Sequence, residues 1–414
     1  MTTVSRHAAS RLRDALADTR VVTVVGARQA GKSTLCGTVA REIGGARHRN
    51  LDIGTELASA RADPDGFTMH DGLLVLDEVQ RAPDLLLAVK AAVDADPRPG
   101  RFLLTGSARL LGLRSVPDAL VGRNETIELW PFSQGEIEGR PDGFVDAVFS
   151  DQDMGRAVPS ATPDIVERIT RGGFPEAVRR TPDRRRRFFT AYIEDLIDRD
   201  VVQVSDIQRR DQLHRLLRAL SGRVAQPLSV SGLATELALP VTTVERYTAL
   251  LEEVFLLKRL PAFTPGRRGR ATSQRKVLFV DTGIAAHLQG LSDARLQRDR
   301  ARIGPLLENL VLGELARQLT WASEPVHLSH YRTKDGVEVD AVLEHDDGRV
   351  VAIEVKAAST VRQDDFRHVV HLRERLGDRF HAGLVLHLGS VAAPFGSALH
   401  ALPVSALWEL APYG

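Results

Sequence analysis

A glycine-rich stretch near the N-terminal end carries the residues whose spacing is most specific for chemistry. Residues 26–33 read Gly-Ala-Arg-Gln-Ala-Gly-Lys-Ser, which is the G-x-x-x-x-G-K-S spacing of a phosphate-binding loop. In such a loop, backbone N–H groups and the start of the next helix point at a phosphate. Lys32 is predicted to reach the β- and γ-phosphates of ATP, and the Ser33 hydroxyl to ligate Mg²⁺. The predicted nucleotide-binding residues are Gly26, Ala27, Arg28, Gln29, Ala30, Gly31, Lys32, Ser33 and Thr34.

Two acids further along the chain are predicted to complete this site. The apolar run Leu73–Leu76 ends in Asp77 and Glu78, and the carboxyl end of a parallel strand is where such sheets bind ligands. Asp77 is expected to hold Mg²⁺ through water, and Glu78 to orient and polarise the attacking water. A later run from Phe102 ends in hydroxyls, of which Ser107 is predicted to sense the γ-phosphate. Hydrolysis of ATP is therefore expected as well as binding.

A second group of charged residues lies in a predicted hairpin. Both Val337–Glu344 and Arg349–Lys356 alternate apolar and polar residues, and Asp346-Asp347-Gly348 between them predicts a three-residue loop. Reflection about position 347 places Asp340 directly opposite Glu354. Like charges in opposed positions destabilise a sheet, whereas Mg²⁺ or Mn²⁺ between the two carboxylates would turn their repulsion into binding.

Lys356 and an upstream glutamate extend this group. Lys356 follows Glu354 by two residues on the same predicted face, where an ammonium could position water or stabilise charge on a phosphodiester. Glu308 falls in the apolar stripe of a helix predicted to begin at Pro305, and an acid in such a stripe needs a partner. We therefore assign Glu308, Asp340 and Glu354 as candidate metal ligands and Lys356 as a candidate catalytic residue. A solvated ladder of charges is the alternative.

Five segments are predicted to be the strands that position the first site: Val21–Val25, His48–Ile53, Leu73–Leu76, Phe102–Ser107 and Thr126–Leu129. The β-branched run Val21–Val25 and the apolar run Leu73–Leu76 are typical of strands buried on both faces of a parallel sheet. A helix is expected from Thr34 to Ile43, before Gly44-Gly45. The predicted fold class is α/β, with a parallel sheet as the core of the nucleotide-binding domain.

The middle of the chain is predicted to be helical and then to form a winged helix. Residues 160–220 have a helical pattern, and two further helices at 228–237 and 242–255 flank a short turn around Pro240. Two short helices joined in this way suggest a helix-turn-helix. Strands at 255–260 and 277–281 would supply the wing.

The segment 261–280 between those two strands has a local positive charge. It contains no acid, and its basic residues are Arg267, Arg268, Arg270, Arg275 and Lys276. A basic hairpin beside a helix-turn-helix suits contacts to nucleic-acid phosphates. The alternative is that the winged helix contacts protein or packs on an ATPase core.

Composition sets broad limits. A chain of 414 residues is expected to fold as two to four domains, and 43% hydrophobic with 26% charged residues is typical of soluble globular proteins. The net charge of +1 requires neither a nucleic-acid nor a membrane partner. The single cysteine, Cys36, excludes an internal disulfide framework and suits a reducing cytosol. No apolar stretch approaches the roughly 20 residues of a membrane span, so we expect a cytoplasmic protein.

Lysine is rare in this chain. Only six of the 55 basic residues are lysines: Lys32, Lys90, Lys258, Lys276, Lys334 and Lys356. Arginine serves wherever any positive charge suffices, so a lysine that persists favours a position that requires a compact ammonium. Lys32 and Lys356 fall in the two groups described above.

The motifs together resemble a known family. Segment 20–180 resembles the AAA superfamily, and its narrower marks are Leu104-Thr-Gly-Ser107, Gly122-Arg123, Trp130-Pro-Phe-Ser133 and Gly172-Gly-Phe-Pro-Glu176. These marks are similar to those of bacterial and archaeal AAA-like ATPases that carry a C-terminal domain of unknown function with a restriction-endonuclease-like fold. The resemblance covers nearly the whole chain. Glu308, Asp340 and Glu354-Val-Lys356 match the helix acid, the hairpin aspartate and the E-x-K of the PD-(D/E)xK nuclease pattern.

The resemblance also implies an oligomer. In AAA proteins, an arginine in the place of Arg123 reaches the γ-phosphate bound by the neighbouring subunit. We therefore expect a homo-oligomer with shared sites, in which Arg123 acts catalytically. The alternative is an ordinary surface arginine that follows a helix.

The expected domains are a P-loop ATPase core (1–155), a helical lid (156–220), a winged helix (221–290) and a nuclease-like domain (295–414). The leading hypothesis is Mg²⁺-dependent ATP hydrolysis coupled to action on DNA or RNA, with metal-dependent phosphodiester cleavage by the C-terminal domain. One alternative is an ATP-driven switch or regulator whose nuclease-like domain binds nucleic acid or a partner without cutting. Another is an ATPase that remodels proteins through the winged helix.

Overall fold

The computed structural model describes residues 4–106, 120–150, 164–201, 209–264 and 274–411. The chain divides into two compact units. The N-terminal unit is Met1–Phe132 with Glu253–Phe255, and the C-terminal unit is Ser133–Glu252 with Leu256–Gly414. The predicted domain bounds remain predictions.

The N-terminal unit contains a five-stranded sheet in the order β2-β3-β4-β1-β5, and every strand pair in it is parallel. The strands are β1 (Val21–Gly26), β2 (Arg47–Asn50), β3 (Leu74–Asp77), β4 (Phe102–Gly106) and β5 (Asn124–Leu129). The helices are α1 (Ala8–Asp18), α2 (Lys32–Ile43), α3 (Gly54–Ala62), α4 (Pro64–Thr68) and α5 (Leu85–Ala95). The predicted parallel α/β core is therefore confirmed.

Burial on both faces explains why β1, β3 and β4 have mostly apolar sequences, whereas β2 at the sheet edge is exposed or half-buried along its length. One core lies against α5 and includes Val21, Leu76 and Leu104. The other core lies against α1 and α2 and includes Val22 and Val24. Adjacent residues of β1 thus enter different cores, as the alternation of side chains along a strand requires. Each fully buried Val or Leu contributes about 1.5–3 kcal/mol.

The C-terminal unit begins with helices. They are α6 (Gln134–Glu138), α7 (Phe144–Ala147), α8 (Ile165–Arg171), α9 (Pro175–Val178), α10 (Pro182–Asp195), α11 (Arg210–Ser221), α12 (Val230–Leu237) and α13 (Val241–Glu253). A π-helical turn, Leu196–Val201, extends α10. The described part of the predicted lid is thus helical.

A two-stranded antiparallel sheet follows α12 and α13. Its strands, β6 (Leu257–Leu260) and β7 (Lys276–Phe279), are shorter than predicted. Asp281 was expected to end the second strand but instead caps the next helix, with its carboxylate accepting the Ile284 N–H. Arg267, Arg268 and Arg270 of the predicted basic hairpin lie outside the described residues. Helix, short turn, helix and hairpin occur in the predicted order, and the winged-helix interpretation stays a prediction.

Asp281 also explains one of the family marks. The Gly173 N–H donates to Asp281 Oδ2 at 2.6 Å. At Gly172, with φ of +63°, a Cβ atom would lie 2.2 Å from Asp281 Oδ1. Burial raises the pKa of Asp281, and the hydrogen bonds from Gly173 and Ile284 oppose that rise. The two glycines of the Gly-Gly-Phe-Pro-Glu motif are therefore explained by their close approach to a buried carboxyl group.

The rest of the C-terminal unit is built on a six-stranded mixed sheet in the order β12-β13-β11-β10-β9-β8. Its strands are β8 (Val326–Arg332), β9 (Glu338–His345), β10 (Val350–Lys356), β11 (Phe380–His387), β12 (Ala393–Gly396) and β13 (Leu399–Pro403). Its helices are α14 (Thr282–Leu288), α15 (Asp293–Arg298), α16 (Ile303–Gln318), α17 (Arg367–Leu376) and α18 (Ala406–Glu409). In the part of the chain that the structure describes, no helix has the length and apolar character to span a membrane.

The β9–β10 hairpin has the predicted register. Ile353 pairs with Ala341 and Val350 with Glu344, and Gly348 has the predicted left-handed conformation, with φ of +96°. The prediction of one apolar and one charged face was too simple. Val342 and Ala352, on the expected charged face, are fully buried in a core with α17. The charged residues of β9 on that face, Glu338, Asp340 and Glu344, therefore lie on either side of Val342.

A buried glutamate connects α16 with α6. Glu314 is fully buried, its Oε2 accepts the Gln134 N–H at 2.9 Å, and its Oε1 lies 3.3 Å from Arg317 Nη1. Burial raises the pKa of Glu314 to about 7; Arg317 opposes the rise, while Asp142 and Glu136 add to it. The folded state therefore holds this proton to a higher pH than the unfolded chain does.

Stability should consequently depend on pH through Glu314. Since the folded pKa of about 7 lies above the ordinary value, this stabilisation is complete below about pH 4 and is lost as the pH rises through 7. Glu314→Gln keeps the group neutral at every pH. Between pH 5 and pH 8 the free energy of unfolding should therefore decrease more in the wild type than in Glu314→Gln, by about 1–3 kcal/mol. Urea unfolding across this range measures the difference. Glu374→Gln, at an exposed site on α17, is the control, and equal slopes for Glu314→Gln and wild type would contradict the assignment.

Candidate functional sites

The predicted phosphate-binding loop connects β1 to α2. Gly26 ends β1 with φ of +151°, and a Cβ atom there would lie 2.1 Å from the Leu129 carbonyl oxygen. Gly31 has φ of +100° and precedes α2 as its N-cap. Both positions require glycine, for lack of space at the first and for backbone conformation at the second. Gln29 is also left-handed, with φ of +61°, a strain of about 1–3 kcal/mol that is typical of functional loops.

Lys32 lies inside the curve of this loop. Its side chain is buried, and Nζ donates to the carbonyl oxygens of Gly26 and Ala27, each at 3.0 Å. Burial lowers the pKa of the Lys32 ammonium, and the charges of Glu78 and Asp77 oppose that change. The ammonium is therefore held by neutral oxygens, beside the two predicted acids.

The acids at the end of β3 lie next to this lysine. Ser33 Oγ donates to Asp77 Oδ1 at 3.1 Å, and the Thr105 hydroxyl donates to the same oxygen. The Glu78 N–H donates to Thr105 Oγ1 at 3.3 Å. Glu78 itself is left-handed, with φ of +58°, and its carboxylate accepts from Gln80 Nε2. The structure thus brings the predicted Mg²⁺ ligands Ser33 and Asp77 together.

Sequence reasoning missed two contributors to this site. Thr105 belongs to the run of hydroxyls that was expected to sense phosphate, but it contacts Asp77. Gln80 had no predicted role, although it lies two residues after Glu78. Ser107, the predicted sensor, lies outside the described residues.

Arg6 is a further residue that no motif indicated. Its Nη1 donates to the Ala30 carbonyl at 3.1 Å and its Nη2 to the Trp130 carbonyl at 2.6 Å. The guanidinium also lies 4.8 Å from the centre of the Phe132 ring. Arg6 therefore ties the phosphate-binding loop to the Trp130-Pro-Phe segment, which gives that family mark a structural role.

Arg123, the predicted intersubunit arginine, forms an ion pair within its own chain. Its Nε lies 2.5 Å from Asp94 Oδ1 and its Nη2 lies 3.1 Å from Asp94 Oδ2. The side chain is about a quarter exposed, with a relative accessibility of 26%. To act on a neighbouring subunit, Arg123 would have to exchange this bidentate pair for a phosphate.

In the C-terminal unit, a cluster of three carboxylates surrounds a buried lysine. We name it the Lys276 cluster, and it consists of Lys276 of β7, Glu308 of α16, and Glu338 and Asp340 of β9. Lys276 Nζ lies 2.6 Å from Glu308, 2.7 Å from Glu338 and 3.6 Å from Asp340. Oxygen atoms of the three acids lie within 4.8 Å of one another, a grouping that could hold a metal ion.

The cluster corrects the expectation for Lys276. That lysine was grouped with basic residues suited to nucleic-acid phosphates, but its exposure is 0%. Burial would lower the pKa of its ammonium, but the charges of Glu308, Asp340 and Glu338 outweigh burial and raise this pKa. Burial also raises the pKa of Glu308 and of Asp340. Lys276 is therefore a charged partner of carboxylates and offers no surface to a phosphate.

Glu354 and Lys356 form a separate pair beside the cluster. Lys356 Nζ donates to Glu354 Oε1 at 2.8 Å, while Glu354 Oε2 is buried with no hydrogen-bond partner among the described residues. Asp340 Oδ2 accepts the Val355 N–H at 2.8 Å, where the β9–β10 ladder ends. Burial, together with the charge of Asp340, raises the pKa of Glu354 to about 7.

The structure therefore brings the predicted C-terminal site residues into one region, but they do not form a single metal site as predicted. Glu308, Asp340 and Glu338 all contact the Lys276 ammonium, whereas Glu354 forms an ion pair with Lys356. Glu338 was expected on the same charged face, two residues before Asp340, but was not assigned as a ligand. Lys356 also lines a groove of about 790 Å³, together with Arg300, Arg362 and Ser359 among others.

Comparison with known families agrees with the geometry of the first site. Residues 18–138 match a family model described as an AAA domain. Residues 162–295 and 303–407 match two models described as domains of unknown function, DUF8612 and DUF4143. The Lys276 cluster thus combines a lysine from the segment 162–295 with three acids from the segment 303–407.

Two mycobacterial proteins are similar over most of the chain. An uncharacterized protein of Mycobacterium tuberculosis is 30% identical over 361 residues, covering 86% of this chain and 74% of the relative. An uncharacterized protein of Mycobacterium bovis matches with the same values.

Two solved structures show distant likeness. A Walker-type ATPase of Pyrococcus abyssi has a TM-score of 0.42 and 14% identity, covering 69% of this chain and 96% of that chain. The RuvB Holliday junction branch migration motor of Thermotoga maritima has a TM-score of 0.30 and 18% identity, covering 61% of this chain and 89% of that chain. Likeness at this level carries no inference about function.

The phosphate-binding loop, the acids at the end of β3 and the match of residues 18–138 to an AAA domain define that part of the chain as an AAA-type P-loop ATPase domain, the class that binds ATP with a divalent metal ion and hydrolyses it. Within that class, the chain belongs to the same family as the two mycobacterial proteins.

The contacts of Arg6 yield a prediction for nucleotide affinity. Arg6→Ala removes both hydrogen bonds that tie Ala30 to Trp130, so the loop should be less well ordered for phosphate. We expect ATP binding to weaken about 3- to 10-fold, as loss of about one hydrogen bond's net stabilisation implies.

Fluorescent-nucleotide titration measures this effect. Arg11→Ala is the matched control, since Arg11 lies on α1 and forms an exposed ion pair with Glu125. Equal affinity for Arg6→Ala and Arg11→Ala would show that Arg6 does not order the loop.

Proposed function

We propose that this ATPase is an ATP-driven switch that acts on nucleic acid and whose nuclease-like C-terminal domain binds without cutting. The observation that carries this choice is the position of Lys276. Its ammonium lies within hydrogen-bonding distance of Glu308 and Glu338, so the acids suited to a metal ion already share a cation. A nuclease of this type needs its acids to bind a metal ion, but here the acids bind a lysine of the same chain. This arrangement fits a domain that binds nucleic acid better than one that cleaves it.

In the ATPase unit, the proposed roles follow the contacts. Ser33 and Asp77 share a hydrogen bond and would hold Mg²⁺, one directly and the other through water. Glu78 lies at the end of the same strand and would orient the attacking water. Lys32 would exchange the Gly26 and Ala27 carbonyls for phosphate oxygens, and Ser107 keeps its proposed role as phosphate sensor.

Assembly and nucleic-acid contact are parts of the same proposal. A homo-oligomer would bring Arg123 to the γ-phosphate of a neighbouring subunit. Arg267, Arg268, Arg270 and Arg275 would meet the phosphates of DNA or RNA beside the helix pair α12–α13, which we interpret as a winged helix. The single cysteine, Cys36, is buried and unpaired, which suits a reducing compartment, and we propose the cytoplasm.

Metal-dependent phosphodiester cleavage is the second candidate, and one observation favours it. Glu354 Oε2 is buried without a hydrogen-bond partner in the described chain, and the neighbouring Lys356 lines the groove that also contains Arg300 and Arg362. A phosphodiester in that groove would meet a lysine paired with an acid, as the E-x-K pattern requires. Cleavage would then need Mg²⁺ or Mn²⁺ at Glu308, Asp340 and Glu354, which Lys276 opposes.

A cleavage assay separates the two candidates. Supercoiled plasmid and single-stranded DNA are incubated with Mg²⁺ or Mn²⁺, with and without ATP, beside the variants Lys32→Ala and Asp340→Asn. For the switch, we expect ATP turnover and ATP-dependent DNA binding in the wild type, no cleavage, and loss of both activities in Lys32→Ala. Cleavage by the wild type that disappears in Asp340→Asn would establish the nuclease instead.

The role of Arg123 is tested with its own ion pair as control. If Arg123 completes the site of a neighbouring subunit, Arg123→Ala should lower kcat about 100-fold or more in the assembled protein, because arginine fingers contribute rate factors of this order or larger. ATP binding should be kept. Asp94→Ala removes the same intrachain ion pair but leaves the arginine, so its kcat should stay near that of the wild type. Equal loss in both variants would assign Arg123 a purely structural role.

A further inference from the structure

The Lys276 cluster places a fixed ammonium where a divalent cation would otherwise bind. Lys276 has no exposed surface, and its Nζ contacts Glu308 at 2.6 Å and Glu338 at 2.7 Å. Asp340 lies 3.6 Å from the same atom. Three carboxylates from two elements thus converge on one positive charge.

The backbone around Lys276 is held on both sides. Ala225 N–H donates to the Val277 carbonyl at 2.8 Å, and the Val277 N–H donates to Gln226 at 3.0 Å. On the strand's far end, Asn309 accepts the Phe279 N–H at 2.8 Å and donates to the Phe279 carbonyl at 2.9 Å. Since Asn309 follows Glu308 in α16, the same helix fixes the strand and supplies a carboxylate.

A metal ion does not fit this arrangement while Lys276 is present. Mg²⁺ and Ca²⁺ require carboxylate oxygens at about 2.0–2.6 Å, and those of Glu308 and Glu338 already accept hydrogen bonds from Lys276. A second cation in the same place would meet an ammonium at close range in a buried site, where repulsion is weakly screened. Glu354, the predicted third ligand, bonds to Lys356 through one oxygen.

Glu354 adds a buried acceptor oxygen, unpartnered within the described chain, beside the cluster. Its exposure is 6%, its Oε2 has no hydrogen-bond partner among the described residues, and it lies close enough to feel the charge of Asp340. A buried carboxylate oxygen without a partner is costly, and its cost would fall if a cation joined the neighbouring acids. Removal of the Lys276 charge is the change that would allow a divalent cation to bind there.

We propose that Lys276 is the resident cation of the Glu308, Glu338 and Asp340 carboxylates, that it excludes divalent cations from them, and that its loss creates a divalent-cation site. This inference rests on the proposed non-cutting role of the C-terminal domain and gives it a physical cause. The site created would take a hard divalent cation such as Mn²⁺ or Mg²⁺, because carboxylates supply all its ligands.

The test compares Mn²⁺ binding by nucleotide-free full-length protein, with free Mn²⁺ followed by electron paramagnetic resonance. Wild type and Asp340→Asn should bind the same amount of Mn²⁺. Lys276→Met, which keeps much of the side chain's length without its charge, should bind about one additional Mn²⁺ per chain. The double variant Lys276→Met/Asp340→Asn should lose that ion. Lys258→Met, on the neighbouring strand β6, is the matched control and should bind as the wild type does.

Thermal unfolding provides the second measurement if Lys276→Met is poorly stable. In chelator, its Tm should lie below that of Lys258→Met, and Mn²⁺ should raise it in a concentration-dependent manner that Asp340→Asn abolishes. The inference is overturned if the wild type holds a Mn²⁺ ion that Asp340→Asn removes, or if Lys276→Met gains neither binding nor thermal rescue. Since this test needs neither ATP nor DNA, its failure is distinguishable from failure of the proposed switch, which rests on turnover and DNA binding.

Discussion

A lysine ammonium that is buried away from water needs oxygen atoms as hydrogen-bond acceptors, and both candidate sites are built around such a lysine. Lys32 and Lys276 are both buried, and an unpaired charge at either position would be costly. Lys32 donates to two neutral carbonyls, and Lys276 contacts charged carboxylates. The two solutions have different consequences for exchange. A phosphate can replace neutral carbonyls at little electrostatic cost, whereas replacing the carboxylates would leave three half-buried acids without the cation that balances their charge.

The elements that carry these lysines suit the two behaviours. Lys32 follows a glycine-rich loop whose residues Gln29 and Gly31 have left-handed backbone conformations, and the loop is tied to its surroundings by side-chain bonds such as those of Arg6. Lys276 instead lies in a strand that is hydrogen-bonded to neighbouring segments and fixed by Asn309. A loop lysine beside a phosphate site suits a ligand that comes and goes. A strand lysine within a core suits a permanent partner.

Much of this structure could be predicted from the sequence because the relevant information is local. The loop from Gly26 to Ser33 is contiguous, and Asp77 and Glu78 end a run whose burial is visible in its composition. The register of β9 and β10 follows from their short loop, since a hairpin fixes its own pairing. Arg6 and Trp130 could not be paired in this way, because their contact depends on how distant segments pack. The same holds for Lys276, which meets Glu308 and Glu338 only through the tertiary fold.

Composition nevertheless held a signal for Lys276. Lysine occupies six of the 55 basic positions, and three of those six, Lys32, Lys276 and Lys356, lie beside buried or half-buried carboxylates in the structure. A compact ammonium can direct three hydrogen bonds to oxygens around it, whereas a planar guanidinium needs a wider, flatter set of acceptors. Glu308, Glu338 and Asp340 approach a single point from two elements, which is the geometry of the ammonium and also that of a metal ion. The chemistry that makes these acids suitable for a cation therefore explains why a lysine can take its place.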